Sequence, residues 1–430
     1  MEHHWSVVPE DLKRQADRAF VDGINRLLWH GFTASPERFG VPGLEYFAGT
    51  HLNRHVTWCG EAGAFVRYLA RCQAVLQRGE AVVDIGVLGG SDPYRHWGHY
   101  RDEPWEGAGI RMPDGYQFDV LTPRTPEAAK ARYACLVDAT KTPVVFPKLP
   151  LPDCLLPGAW DFAHRRDGGS DYYFVVGEGW GEGLFRASGE RAEIWDPVTG
   201  RRYAAPFERL GDGRAFLTFE LPRNCAFFVV FGAAAKGTDL PVSPYLRPGF
   251  AERRPVAGPW DVAFAYPVGV KAEAPKARTM TGLVNWGKSE DPALRAFSGT
   301  ATYRTKIVLD AREAAFGRAV LDLGSVGVGV AHVFVNGTDC GTVWSSPWSA
   351  DVTGALRAGG NDIEVRVTNT WANRLAADAR LKPEEQATET NVKRRPTHGM
   401  SRCAGYDLDF KPQDCGLLGP VSLEFENIEQ

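Results

Sequence analysis

Between residues 25 and 60 stand four side chains suited to a ligand carrying hydroxyls and apolar C–H faces: His30, Asn53, Arg54 and Trp58. Asparagine and arginine make in-plane hydrogen bonds that fix hydroxyls, and histidine can bond a hydroxyl or a carboxylate. Tryptophan can stack on an apolar face. The alternative for all four is packing and hydrogen bonding at the ends of the elements that carry them. The acids of the same region are Glu37, Glu45, Glu61, Asp84 and Asp92. Asp84 sits in the apolar run 81–88, where burial would raise its pKa; pairing with a neighbour is the stronger reading. Glu45 lies in a loop above an expected strand end. Further along, Trp344, Trp348 and Trp371 could stack on the same kind of ligand, although core packing is the commoner use of such residues.

The elements that must hold these groups follow from patterning. A helix starts at Pro9-Glu10-Asp11 and runs to about Gly23, with Leu12, Ala16, Ala19 and Phe20 at helical spacing. Residues 25–30 read as a short strand. A second helix spans about 60–77, with Phe65, Leu69, Cys72 and Leu76 on one face, and 81–88 reads as a buried parallel strand. This is α/β grammar, of a barrel or a doubly wound sheet. It stops near residue 95, whereas a complete eight-fold barrel takes about 250 residues. The expectation is therefore a partial, TIM-type α/β barrel remnant over 1–95. An irregular connector (96–160), a β-sandwich (161–235), a linker (236–257) and a second, jelly-roll-like sandwich (258–430) follow, a mixed fold class. Asn336-Gly337 is a hairpin signal within the last domain.

Bulk properties exclude more than they assign. The 430 residues suggest roughly two to four domains. A net charge of −4 provides no basic stripe for phosphates, so nucleic acid is not expected as a partner. No run approaches the roughly 20 apolar residues of a membrane span. The N-terminus lacks the apolar region of a signal peptide. As written the chain reads as cytoplasmic; a longer N-terminus could make it periplasmic or secreted. Eight cysteines form no CxxC pair, so no metal site or redox motif is signalled; Cys403 and Cys415 are close enough for a local bridge.

Several segments resemble known families. Val333-Phe334-Val335-Asn336-Gly337, Gly341-Thr342-Val343-Trp344, Trp348-Ser349-Ala350-Asp351-Val352 and Gly360-Asn361-Asp362-Ile363-Glu364-Val365 resemble the galactose-binding-like sandwich of glycoside hydrolase family 2. Thr370-Trp371-Ala372-Asn373-Arg374-Leu375 resembles the end of the α-L-rhamnosidases of glycoside hydrolase family 106. So do Asn25-Arg26…His30, Gly49-Thr50-His51-Leu52-Asn53-Arg54…Thr57-Trp58 and Tyr68-Leu69-Ala70-Arg71-Cys72-Gln73, which are similar to the end of that family's catalytic barrel. Trp195-Asp196-Pro197-Val198-Thr199-Gly200 is similar to a turn in its next β-domain. The likeness touches 20–95, 160–232 and 258–425. It departs at Pro42-Gly43-Leu44-Glu45-Tyr46-Phe47 and at Trp58-Cys59, where paired tryptophans are usual.

The resemblance implies hydrolysis or binding of rhamnose-containing glycans, with His30, Asn53, Arg54 and Trp58 in contact with substrate. Inverting hydrolysis needs two carboxyls roughly 6.5–9.5 Å apart. The resemblance places both on strands that this chain is expected to lack, which leaves the catalytic pair unassigned. It also implies calcium near the catalytic site, though no cofactor is evident from the residues. Two rivals are a non-catalytic carbohydrate-binding or scaffold protein, and half of a split enzyme whose partner supplies the missing barrel strands.

Overall fold

The computed structural model describes residues 2–45, 52–88, 112–122, 124–138, 146, 148–236, 240–246, 252–391, 403–404, 406 and 409–426. Asp92 lies outside them. The chain forms two compact units that interleave in sequence. One comprises Gln15–Leu27 and Arg67–Pro248, the other Met1–Arg14, Leu28–Val66 and Gly249–Gln430. The linear succession of domains read from the sequence does not anticipate this exchange.

Helix α1 (Pro9–Val21) begins with Glu10 and Asp11, whose charges complement the positive end of its dipole. Its buried stripe is Leu12, Ala16 and Phe20. Helix α2 (Ala62–Leu76) buries Phe65, Leu69, Cys72 and Leu76, the face its periodicity indicates. Residues 25–30 form no strand. The Leu27 amide is bonded at 2.7 Å by a side chain, Gln73 Oε1, instead of a neighbouring strand, and Leu28 is 87% exposed.

In the unit containing Arg67–Pro248, β1 (Ile85–Leu88) is the centre of a three-stranded parallel sheet, flanked by β2 (Phe118–Leu121) and β3 (Cys135–Asp138). Two corrections follow. Residues 118–138, read as irregular, supply two strands and the short helix Glu127–Lys130. The order, with the first strand central, differs from that of a closed barrel, in which successive strands pair with the next in sequence. No closed barrel is present among the described residues.

The same unit holds an eight-stranded antiparallel sheet. Its main strands are β4 (Asp161–Asp167), β5 (Ser170–Phe185), β6 (Ala192–Trp195), β7 (Arg202–Ala204) and β8 (Ala215–Gly232), in the order β7-β6-β8-β5-β4. Phe219 and Phe227 both lie on β8. Eight residues of straight strand would separate them by about 26 Å, yet their ring centroids are 5.6 Å apart. The strand bends where its register breaks between Leu221 and Cys225, at Asn224 with φ 56°. One sheet thus folds over and packs Phe185, Phe219, Phe227 and Phe231 into a single core.

The other unit contains two antiparallel sheets around a shared core. The four-stranded one is formed by β9 (Glu252–Pro255), β13 (Arg318–Asp322), β16 (Ser349–Asp351) and β18 (Ser422–Glu426). The six-stranded one is formed by β10 (Trp260–Ala265), β11 (Arg278–Met280), β12 (Thr300–Leu309), β14 (Gly329–Val335), β15 (Thr338–Val343) and β17 (Gly359–Asn369), in the order β11-β10-β12-β17-β14-β15. Asn336 (φ 52°) and Gly337 (φ 80°) turn the β14–β15 hairpin, pairing Val335 with Thr338. Both positive φ values are what a primed two-residue turn requires. Cys415 is a free thiol, so the suggested bridge to Cys403 is not formed. Asn369 Nδ2 donates to its sulfur at 3.3 Å, and burial pushes the thiol up to about 12.

Candidate functional site

In the unit with the two-sheet sandwich, residues 35–45 and 52–55 form a loop layer against a strap, 387–390. The Glu389 amide donates to Val41 O at 2.8 Å, and Pro42–Gly43 pairs in parallel with Glu389–Thr390. Gly40, with φ 69°, lies so near the strap that an added Cβ would sit 2.6 Å from Glu389 Cβ. The strap is fixed from below by Asp378, wholly buried at the end of α3 (Ala372–Asp378). Asp378 accepts from the amides of Ala387 (3.2 Å) and Thr388 (2.9 Å) and from the Thr388 hydroxyl. Arg374 neutralises it at 2.8 Å.

Loop and strap enclose a cleft of about 530 Å³, lined among others by Glu37, Arg38, Arg54, His55, Lys271 and Glu389. Arg54 is the best-placed of the residues singled out by sequence. Its Nη2 donates to Ser35 O at 2.8 Å and its Nε to His55 Nε2 at 3.0 Å, which holds an exposed guanidinium at the cleft wall. His55, Lys271 and Glu389 were not foreseen. His55 is adjacent to Arg54, but the other two lie more than 200 positions away, and no local pattern links them.

The remaining candidates fall elsewhere. Asn53 is fully buried; its Oδ1 accepts from the His55 amide at 2.8 Å, while Nδ2 has no partner among the described residues. It shapes the loop and does not reach the cleft surface. Trp58 is 1% exposed, with Nε1 donating to Val7 O, so its ring has no open face for stacking. His30 is exposed on irregular backbone, not at a strand end. Trp344 is buried edge-on to Phe65, and Trp348 belongs to the sandwich core. Trp371 is buried too and anchors the loop by donating Nε1 to His55 O at 2.6 Å. Packing, not stacking on a glycan, is what these three tryptophans do in this structure.

The acids sort similarly. Glu45 has no side-chain exposure and meets His4 Nδ1 at 2.9 Å; burial holds its carboxyl well above the usual range, against a hydrogen bond from the Trp5 backbone. A proton-retaining carboxyl is what a general acid needs, but this one is sealed from substrate. Glu389 is salt-bridged to Lys271. In the other unit, Asp84 precedes β1 and pairs with Arg186 at 2.7 Å, the structural role preferred from sequence. Among the described residues no group of three His, Cys, Asp or Glu side chains could hold a metal ion. No described helix is long and apolar enough to cross a membrane.

Comparison with known proteins accords with this geometry. Residues 1–125 match the α-L-rhamnosidases of glycoside hydrolase family 106, and residues 261–418 match the galactose-binding domain-like module of glycosyl hydrolase family 2. The chain is glycoside-hydrolase-related. More particularly it is rhamnosidase-like: it superposes on the structure of a rhamnosidase from Novosphingobium sp. PP1Y with a TM-score of 0.75 and 26% identity, over 97% of this chain and 46% of that one. A putative β-glucuronidase of Formosa agariphila is 34% identical over 181 residues, 39% of this chain and 15% of that protein. The chain thus spans less than half the length of the rhamnosidase it matches.

Proposed function

We propose that this chain is the glycan-binding portion of a rhamnosidase-like glycoside hydrolase and contacts rhamnose-containing glycans through the Arg54 cleft. The observation that carries this reading is the position of Arg54. It lies in the segment matching α-L-rhamnosidases, and its guanidinium is held in place at the wall of a cleft large enough for a sugar residue. In this reading α1 and α2 are remnants of an α/β barrel, and the two-sheet sandwich is a jelly roll of the galactose-binding type. Binding, not hydrolysis, is assigned to the cleft because Glu389 is paired with Lys271 and Glu45, whose carboxyl burial holds well above its usual range, is sealed. The test is titration of the purified chain with p-nitrophenyl α-L-rhamnoside, followed by calorimetry and by nitrophenol release. Binding without release, at least tenfold weaker in Arg54→Ala, is expected. Absence of binding sinks the proposal, and release would make the chain a hydrolase in its own right.

A second reading has one observation in its favour. Leu28 and Phe32 are 87% and 67% exposed, flanking Trp29 at 42%, an apolar run that additional barrel strands, from a partner, would cover. Co-purification of a barrel-bearing polypeptide, abolished by Leu28→Asp with Phe32→Asp, would support it; a monodisperse free chain of unchanged stability in the double variant would not.

A further inference from the structure

We propose that the outer face of the six-stranded sheet is a second carbohydrate-binding surface, which takes a neutral polysaccharide chain independently of the Arg54 cleft. Cross-strand pairing sets Thr279, Asp261, Arg304, Glu364, Phe334 and Asp339 in one row that crosses all six strands. Because strand side chains alternate, the intervening Val262, Tyr303 and Val365 face the core, and the row faces out. The face carries a depression of about 760 Å³ with Asp261, Arg304, Phe334, Glu364 and Arg366 in its lining.

Three features separate this face from an ordinary solvated sheet. Glu364 accepts from Arg304 Nε at 2.6 Å and from Arg366 Nε at 2.7 Å, so one carboxylate orients two guanidinium planes. The terminal N–H groups of Arg304 have no protein partner among the described residues and are left for a ligand. Second, the half-buried Phe334 ring stands among the polar groups, packed by the Arg366 guanidinium at 4.4 Å and by the stacked His332 ring at 4.5 Å. Third, the lining is electroneutral: Arg304, Lys306 and Arg366 are balanced by Asp261, Asp362 and Glu364. Fixed donors beside fixed acceptors suit hydroxyls, which both donate and accept; a surface for an anionic glycan would carry an excess of cations.

The probe is electrophoresis of the full chain through native gels containing arabinoxylan, galactomannan or mixed-linkage β-glucan, with polygalacturonate as the anionic control. The wild type should be retarded by at least one neutral polysaccharide. Arg304→Ala and Phe334→Ala should each weaken that retardation at least tenfold with unchanged melting temperature, whereas Arg54→Ala should leave it intact. Equal retardation of wild type and both sheet variants overturns the proposal. So does retardation by polygalacturonate alone, or by none of the four.

Discussion

Nδ1 of His332 lies 2.9 Å from a carboxylate oxygen of Glu61, and Nε2 of the same ring lies 2.7 Å from Asp339. The first contact joins residues 271 positions apart and, with Thr342 Oγ1 donating to the same oxygen at 2.5 Å, secures the turn before α2 to the β14–β15 hairpin. Partial burial opposes a charge on His332, but Asp339 and Glu61 outweigh it and raise its pKa; Asp339 is lowered in return.

A pH dependence follows. A histidine whose folded pKa exceeds its unfolded value near 6.5 stabilises fully below that value and loses the effect as pH rises through the folded one. Asp339 works oppositely, its share vanishing as pH falls through its depressed folded pKa. His332→Gln should therefore cost stability at pH 6, by under about 1 kcal/mol because the groups are part-exposed, and cost less at pH 9. Urea unfolding of both proteins at the two pH values checks this; an equal cost at both would refute a charged His332.

A second histidine is in a different position. His164 is buried between Asp153 (2.9 Å) and Asp171 (3.0 Å), beneath the Tyr173 ring at 3.8 Å. Burial disfavours its cation, yet the two aspartates prevail and raise its pKa, while Asp171 is held below the usual carboxylate range. Arg166 and the Ser188 amide also serve Asp171. Replacing His164 with leucine removes the cation shared by the two buried carboxylates, leaving Asp171 to Arg166 and Asp153 to the more distant Arg186, a loss of up to about 3–5 kcal/mol. Chemical denaturation of His164→Leu at pH 6 measures it, and a change under about 1 kcal/mol would mean that the histidine is neutral in the folded chain.

The two helices and the Asn336-Gly337 hairpin were legible in the sequence because each depends on local periodicity or turn chemistry. Arg54 could be singled out as a polar residue near Trp58, but its cleft could not: Lys271 and Glu389 arrive from distant segments of the chain. The failures share a physical cause. Tryptophans read the same whether they stack on a sugar or fill a core, and only Trp371's bond to His55 O and the burial of Trp58 and Trp344 decide it. Strand 81–88 was visible as a buried run, but its neighbours at 118–121 and 135–138 are only four residues long each, so the central-strand order was hidden. Buried groups such as His164 have no sequence signature; the alternation of β4 is indifferent to which inward residue is polar.

The folded-over sheet makes its own prediction. Asn224 adopts φ 56° at the bend of β8, a region that asparagine and glycine tolerate and β-branched residues do not. Asn224→Val should lower stability by about 1–2 kcal/mol, and Asn224→Gly should be nearly neutral. Thermal melts of the two variants separate backbone conformation from side-chain contacts: if glycine is as damaging as valine, the side chain and not the bend is what matters there.

Asp378 offers the sharpest link between scaffold and cleft. It touches no cleft surface, yet its carboxylate receives two amides and a hydroxyl of the strap that carries Glu389. With Asp378→Asn the shape is kept but Arg374 loses its counter-charge and one oxygen becomes a donor facing amides, so the strap is released at a cost of about 1–3 kcal/mol. If the cleft binds glycan as proposed, affinity for p-nitrophenyl α-L-rhamnoside should fall in Asp378→Asn as in Arg54→Ala. The two differ in stability: Arg54→Ala leaves the melting temperature in place, whereas Asp378→Asn lowers it. Calorimetric titration paired with thermal melts reads both. Unchanged affinity in a destabilised Asp378→Asn would show that the strap is no wall of the binding site, and the ligand would have to be sought on the Arg54 side of the cleft alone.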